Sequence, residues 1–228
     1  MRKTGTAALD MLLDGGLEED AITLIFGEGG SGKTNFALQC ARETLLAGKR
    51  VAYVDTEGVS ATRLRQVFDG HDGLEDKLLF FTPFTIQEQE RFVKKATLLP
   101  ELGLVVIDSI NMHYRLFIDG GDDMEKEASR SLYGQLHHLT QFARQHSVPV
   151  LVTGQVYGGE DNTLPFARRT MEHMVKAMVR FGKRPNGGRR ATMLKHRSIE
   201  EGRQAEFWIG AHGLQDGPTQ DSSTMSTK

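Results

Sequence analysis

Residues 21–26, AITLIF, form an uninterrupted apolar run that stops at a glycine-rich segment. Runs of this length and type are strands buried on both faces, as in a parallel sheet. The same signature recurs at 51–54 (VAYV), 78–82 (LLFFT), 102–107 (LGLVVI) and 148–153 (VPVLVT), and LGLVVI, the most apolar, is predicted to be a central strand. Between these runs the apolar spacing changes to that of a helix. Phe36, Ala37, Cys40, Ala41 and Leu45 predict a helix after the glycine loop, with Gly48 at its C-terminal cap. Leu64, Val67 and Phe68 predict a short helix, and Thr85-Ile86-Gln87-Glu88 is a capping box opening another toward Leu98. A long helix over about 125–146 carries Leu132, Leu136, Leu139 and Phe142 on one face.

Strands alternating with helices predict an α/β fold, with a mainly parallel central sheet, flanking helices and right-handed crossovers. Past about residue 175 the pattern changes. Val175, Ala177, Val179 and Phe181 alternate with polar residues, and Arg184-Pro185-Asn186-Gly187-Gly188-Arg189 is a turn signal. Short strands at 191–195 and 205–209 follow, so the sheet is predicted to end in antiparallel hairpins. Met171, Met174 and Met178 read as packing groups, the last two overlapping the start of a strand. Residues 1–215 read as one domain without repeat or linker, and the polar tail 216–228, DGPTQDSSTMSTK, is predicted to be disordered.

Composition narrows the function classes. The chain has 228 residues, is 39% hydrophobic and 25% charged, and carries a net charge of -2. Bulk charge therefore predicts neither nucleic-acid nor membrane binding, and any nucleic-acid contact must come from local basic patches. No apolar run is long enough to cross a bilayer and the N-terminus lacks a signal-peptide pattern, so a soluble cytoplasmic protein is expected. The only cysteine, Cys40, has no internal disulfide partner and is expected in the core. His137 and His138 are adjacent on a helix and diverge, which argues against a metal pair.

The candidate chemistry lies at Gly27-Glu28-Gly29-Gly30-Ser31-Gly32-Lys33-Thr34, which fits G-x-x-x-x-G-K-[ST]. Glycines let backbone N–H groups turn onto phosphates, and the following helix N-terminus adds its positive end. The motif implies ATP with Mg²⁺: Lys33 on the β- and γ-phosphates, Thr34 on the metal. Asp108 ends an apolar strand, where an acid can hold a Mg²⁺-bound water or simply cap the next turn. Glu57, in Asp55-Thr56-Glu57-Gly58, lies at the ligand edge of such a sheet and can activate water, or be a plain turn acid. Gln155 follows a strand at the same edge, where an amide can sense the γ-phosphate.

The segment 4–34, TGTAALDMLLDGGLEEDAITLIFGEGGSGKT, resembles the start of the RecA/RadA recombinase core, as do YVDTEG at 53–58, LVVIDSI at 104–110 and VTGQV at 152–156. Order and spacing agree over about residues 4–210. The resemblance implies a RecA-like ATPase core, and it is greatest to short archaeal members that begin at the core, without the helix-hairpin-helix domain and polymerisation segment of RadA. It implies Glu57 as catalytic glutamate and Gln155 as the residue coupling γ-phosphate to the second DNA loop. Lys195-His196-Arg197 is similar to the K-x-R element of the related KaiC ATPases, which implies Lys195 and Arg197 acting on a neighbouring subunit's γ-phosphate, and hence self-association.

For DNA, the resemblance implies one loop following Tyr114-Arg115 and a second over about 157–170 with Tyr157, Arg168 and Arg169. The first departs from the family by its acidic Asp119-Gly120-Gly121-Asp122-Asp123, which repels phosphates. Lys183, Arg184, Arg189 and Arg190 form a further basic patch or a solvated turn. The expectation is a protein of homologous recombination and repair that binds ATP and, without sequence specificity, single-stranded DNA. It is expected to regulate or mediate the main RadA recombinase with weak ATPase activity. The alternatives are an active DNA-dependent strand-exchange ATPase, or a KaiC-like signalling ATPase indifferent to DNA.

Overall fold

A computed structural model describes residues 1–71, 73–114, 121–157, 164–165 and 168–218, without the side chains of Asp122, Tyr157, Leu164, Pro165, Arg168 and Arg169. Six parallel strands form its centre: β1 (Ile22–Gly27), β2 (Arg50–Asp55), β3 (Leu78–Phe81), β4 (Leu102–Asp108), β5 (Val150–Tyr157) and β7 (Ala177–Lys183). A two-residue strand, β6 (Leu164–Pro165), pairs with the end of β5. The sheet continues antiparallel through β8 (Arg189–Lys195), β9 (Gln204–Gly210) and β10 (Gly213–Gln215). The order is β10-β9-β8-β7-β1-β5-β4-β2-β3. β4 is an interior strand, as its apolarity requires, but β1 holds the middle.

Strand alternation divides the core in two. Ile25, Val51, Tyr53, Leu104, Val106, Leu151, Val179 and Phe181 pack on one face with α1 (Ala7–Leu12), α2 (Lys33–Leu46) and α3 (Ala61–Phe68). Leu24, Phe26, Ala52, Val54, Val105, Ile107, Val150 and Val152 face the other way, onto α4 (Ile86–Ala96), α5 (Asp122–His146) and α6 (Arg168–Met174). Leu132, Leu136, Leu139 and Phe142 of α5 are all buried there, as their spacing predicts. The Thr85 hydroxyl accepts from the Glu88 N–H at 3.1 Å, while Glu88 accepts from Phe84 N–H at 2.9 Å, one residue ahead of the predicted capping-box partner.

Two expectations are corrected. Met174 ends a helix rather than starting a strand, because Val175 N–H still bonds back to Met171 C=O at 3.0 Å and β7 begins only at Ala177. Asp216 belongs to the fold rather than to the tail: its carboxylate accepts from Ala7 N–H at 3.2 Å and Ala8 N–H at 2.7 Å, capping α1. Residues 219–228 lie outside the described residues. Gln39, 1% exposed, fastens the same corner, donating to Gly5 C=O and the Thr6 hydroxyl and accepting from Leu214 N–H. No helix among the described residues is long and apolar enough to cross a membrane.

Candidate functional site: a phosphate loop at the C-terminal edge of the sheet

Parallel strands all present their C-terminal ends at one edge, where ligands of open α/β sheets bind. Register brings Gly27 beside Gln155 of β5 and Phe181 of β7, and Asp55 beside Asp108. Glycine is required twice in the loop between β1 and α2. A Cβ on Gly27 would lie 2.1 Å from the Phe181 carbonyl oxygen. Gly32 has φ 104°, and a Cβ there would press on Phe207 at 3.3 Å. The loop floors a cavity of about 330 Å³ lined by Gly27–Gly30, Gly32–Asn35, Glu57, Gln155 and Val156.

Lys33 is the first residue of α2 and is 7% exposed. Its ammonium donates to Gly27 C=O at 2.8 Å and Glu28 C=O at 3.0 Å. Burial pushes its pKa down, and the nearby Glu57, Asp108 and Glu28 carboxylates pull it back up. Ser31 Oγ is buried with no partner among the described residues, as is the Ser109 hydroxyl beside Asp108. A cradle closed to a Cβ at Gly27 and Gly32, an ammonium and an unpaired hydroxyl together fit a polyphosphate.

Asp108 is 1% exposed. It accepts from the Tyr53 hydroxyl at 2.8 Å and from the Thr153 hydroxyl, and Thr34 lies near enough to favour its charged form. Burial raises its pKa, with the Thr153 and Tyr53 bonds opposing the rise. Tyr53 is also buried, and its own pKa is pushed well up. A buried carboxylate held by two hydroxyls near Thr34 would suit a hydrated Mg²⁺, which needs few protein ligands.

Two residues that local reasoning did not single out hold the remaining groups in position. Asp55, 5% exposed, accepts from the N–H groups of Glu57 (3.2 Å), Gly58 (2.8 Å) and Val59 (2.6 Å), and so shapes the turn that presents exposed Glu57 to the cavity. Asn111, 1% exposed, clamps both backbone groups of Gln155: its Oδ1 accepts from Gln155 N–H at 2.9 Å, and its Nδ2 donates to Gln155 C=O at 3.0 Å. Asp55 stands inside the DTEG segment at 55–58, but nothing local in the sequence marks Asn111. Asn111→Ala is expected to leave both groups unpaired and cost about 2–4 kcal/mol. Urea unfolding measures it, and a loss below about 0.5 kcal/mol would show that the clamp contributes nothing.

Other predicted residues lie elsewhere. Lys195 and Arg197 are at the opposite end of the sheet, since Lys195 pairs with Met178 near the start of β7. The Lys195 ammonium donates to the Glu172 and Val175 carbonyls at the end of α6. Arg197 is ion-paired with Glu18 at 2.8 Å and Asp20 at 2.7 Å. Within one chain, neither reaches the loop. Arg115 lies outside the described residues, as do the side chains of Tyr157, Arg168 and Arg169; Tyr157 ends β5, and Arg168 and Arg169 open α6. The hairpin is not a bare basic patch: Arg184 and Arg190 pair with Glu206, Lys183 pairs with Glu28, and Arg189 donates to Gly30 C=O. His138 Nε2 bonds the Thr97 hydroxyl at 2.8 Å while His137 stacks on Tyr133, so the two do diverge. Cys40 is fully buried, and burial raises its thiol pKa well up.

Comparison with known proteins agrees with this architecture. The Rad51 family model matches residues 1–217. The DNA repair and recombination protein RadB of Thermococcus gammatolerans is 39% identical over 227 residues, covering 95% of this chain and 99% of that protein. RadB of Methanococcoides burtonii is 36% identical over 211 residues, covering 90% of this chain and 93% of that one. The crystal structure of a RadB recombinase superposes with a TM-score of 0.80 at 36% identity, over 96% of this chain and 100% of the other. The extent of these matches and the loop, acid and amide gathered at one sheet edge lead to the same place: the chain belongs to the Rad51 family of the RecA-like fold, in its RadB group.

Proposed function

We propose that this chain binds Mg–ATP at residues 27–34, binds single-stranded DNA without sequence specificity, and regulates or mediates the main RadA recombinase with weak ATPase activity of its own. The observation that carries the reading is the convergence of Lys33, Thr34, Glu57 and Gln155 on one cavity, with the buried Asp108 carboxylate near Thr34. Lys33 and the loop N–H groups bind the β- and γ-phosphates. Thr34 and Asp108 would hold Mg²⁺, which would supply positive charge against the phosphates. Glu57 orients the attacking water, and Gln155 links the γ-phosphate to the chain that follows β5.

The positions of Lys195 and Arg197 support weak turnover. Both are at the far end of the sheet from their own loop, so any finger they supply acts on a neighbouring subunit. The relatives' names as DNA repair and recombination proteins support the DNA role. Tyr157, Arg168 and Arg169 supply stacking and phosphate contacts, and Arg115 precedes an acidic segment that weakens the first DNA loop.

ATP turnover with and without single-stranded DNA, read beside strand exchange and RadA binding, tests the proposal. Slow turnover with salt-sensitive DNA affinity and RadA binding is the expected result. Strong DNA stimulation with strand exchange makes the chain a recombinase in its own right, a reading favoured by the intact Glu57 and Gln155. Indifference to DNA makes it a signalling ATPase. A rate per subunit that rises with protein concentration, and falls in Arg197→Ala, assigns the finger to the neighbour.

A further inference from the structure

Strands β7 and β8 bring Lys183 and Arg189 opposite each other as the last pair of the hairpin. Directly opposed residues of an antiparallel pair share a face, and here that face is the phosphate loop. The Lys183 ammonium lies 3.5 Å from the Glu28 carboxylate, which also accepts the Lys183 N–H at 3.3 Å. A Cβ on Gly30 would sit 3.4 Å from Lys183 Cε and 3.7 Å from Nζ, so the lysine rests against the loop where that glycine leaves room. Arg189 donates to Gly30 C=O at 3.1 Å and to Gly187 and Gly188 C=O at 2.7 and 3.1 Å. Lys33 stands on the other side of the same loop, its ammonium on Gly27 and Glu28 C=O. Two ammonium groups thus flank a loop built for anions, and both come from one chain.

We propose that Lys183 is a phosphate-binding residue for the nucleotide of its own chain, and that by meeting the terminal phosphate it makes the site prefer a nucleoside triphosphate over a diphosphate. The inference rests on the ATP reading above. Lys183 and Glu28 are about half exposed, at 46% and 50%, so their ion pair is weak and readily exchanged. A terminal phosphate carries more charge and more acceptor oxygens than one carboxylate, and a charge-assisted bond to it is the stronger. Lysine suits the exchange because its ammonium is a point charge on a flexible four-carbon stem. Arg189 has a different part: its guanidinium is committed to carbonyls, so it braces the loop without choosing between nucleotides.

The test is a fluorescence titration of the full chain with Mg²⁺ and either a non-hydrolysable ATP analogue or ADP. Lys183→Ala is expected to weaken the triphosphate about tenfold, the scale of one charge-assisted hydrogen bond, and ADP less than about twofold. Lys183→Arg restores most of the loss. Arg189→Ala weakens both nucleotides alike. Equal effects of Lys183→Ala on the two nucleotides, or none, overturn the proposal. Lost single-stranded DNA binding with an unchanged triphosphate affinity overturns it too and assigns Lys183 to DNA. Lys33→Ala separates the two levels. If the unaltered chain binds and Lys33→Ala does not, an unaffected Lys183→Ala defeats this inference alone. If the unaltered chain binds neither nucleotide, the ATP reading fails and this inference with it.

Discussion

Lys33→Ala is expected to weaken Mg–ATP binding by at least about 100-fold while leaving the fold intact. The ammonium is held at the loop by two carbonyls, at 2.8 and 3.0 Å. Against phosphates it makes charge-assisted bonds worth roughly 1.5–3 kcal/mol each, and two of them amount to at least a hundredfold at about 1.4 kcal/mol per factor of ten. Little stability should be lost, because removing Lys33 also removes a buried charge whose desolvation already lowers its pKa. The check pairs a fluorescent-nucleotide titration with thermal unfolding in the presence and absence of Mg–ATP. Ligand bound to the native state raises the melting temperature in proportion to its occupancy, so the unaltered chain should shift and the variant should not. An affinity within threefold of the unaltered chain would show that phosphate is not held here.

Phe181→Ala is expected to have the largest effect on stability. Phe181 is 1% exposed in β7, edge-on to Phe36 of α2 at 5.6 Å and tilted against Phe207 of β9 at 4.8 Å. Its ring therefore joins the helix that carries Lys33 to the antiparallel end of the sheet, while its carbonyl abuts Gly27. Truncating a buried phenylalanine costs about 3–5 kcal/mol through lost burial and the cavity left behind. In a domain of this size that is on the order of 10 °C in melting temperature. Phe181→Leu, which keeps most of the volume, should lose less than about 1.5 kcal/mol. Denaturant unfolding measures both. A loss below about 1 kcal/mol for the alanine would mean that Phe36 and Phe207 close over the gap, and that the ring does not brace the loop.

The phosphate loop and the strand–helix alternation were legible because both are local. The glycine spacing at 27–32 reports a backbone that must approach Phe181 and Phe207 closely, and the apolar runs report strands covered on both faces. Asp108 and Glu57 were legible because parallel strands all end at one edge. Asn111 was not, since its meaning lies in a clamp on Gln155, 44 residues away. Nor was Tyr53: an apolar strand pattern explains its ring, while its hydroxyl serves Asp108, 55 residues on. The hairpin cations were visible as charge, but charge alone does not say whether a lysine faces DNA or a nucleotide.

What the sequence determined by itself is therefore the order of elements, the glycine-rich motif at residues 27–34, and which acids stand at the end of a strand. Periodicity and motif are properties of neighbouring residues, so no fold is needed to read them. What only the tertiary structure decided is which distant groups meet. Asp216 caps a helix 208 residues before it. Lys195 and Arg197 end up away from their own loop, while Lys183 and Arg189 end up against it. The reason lies in strand direction: β7 runs parallel to β1 and ends beside the loop, and β8 turns back. The start of β8 is thereby set at the 27–34 loop and its end a full strand length away.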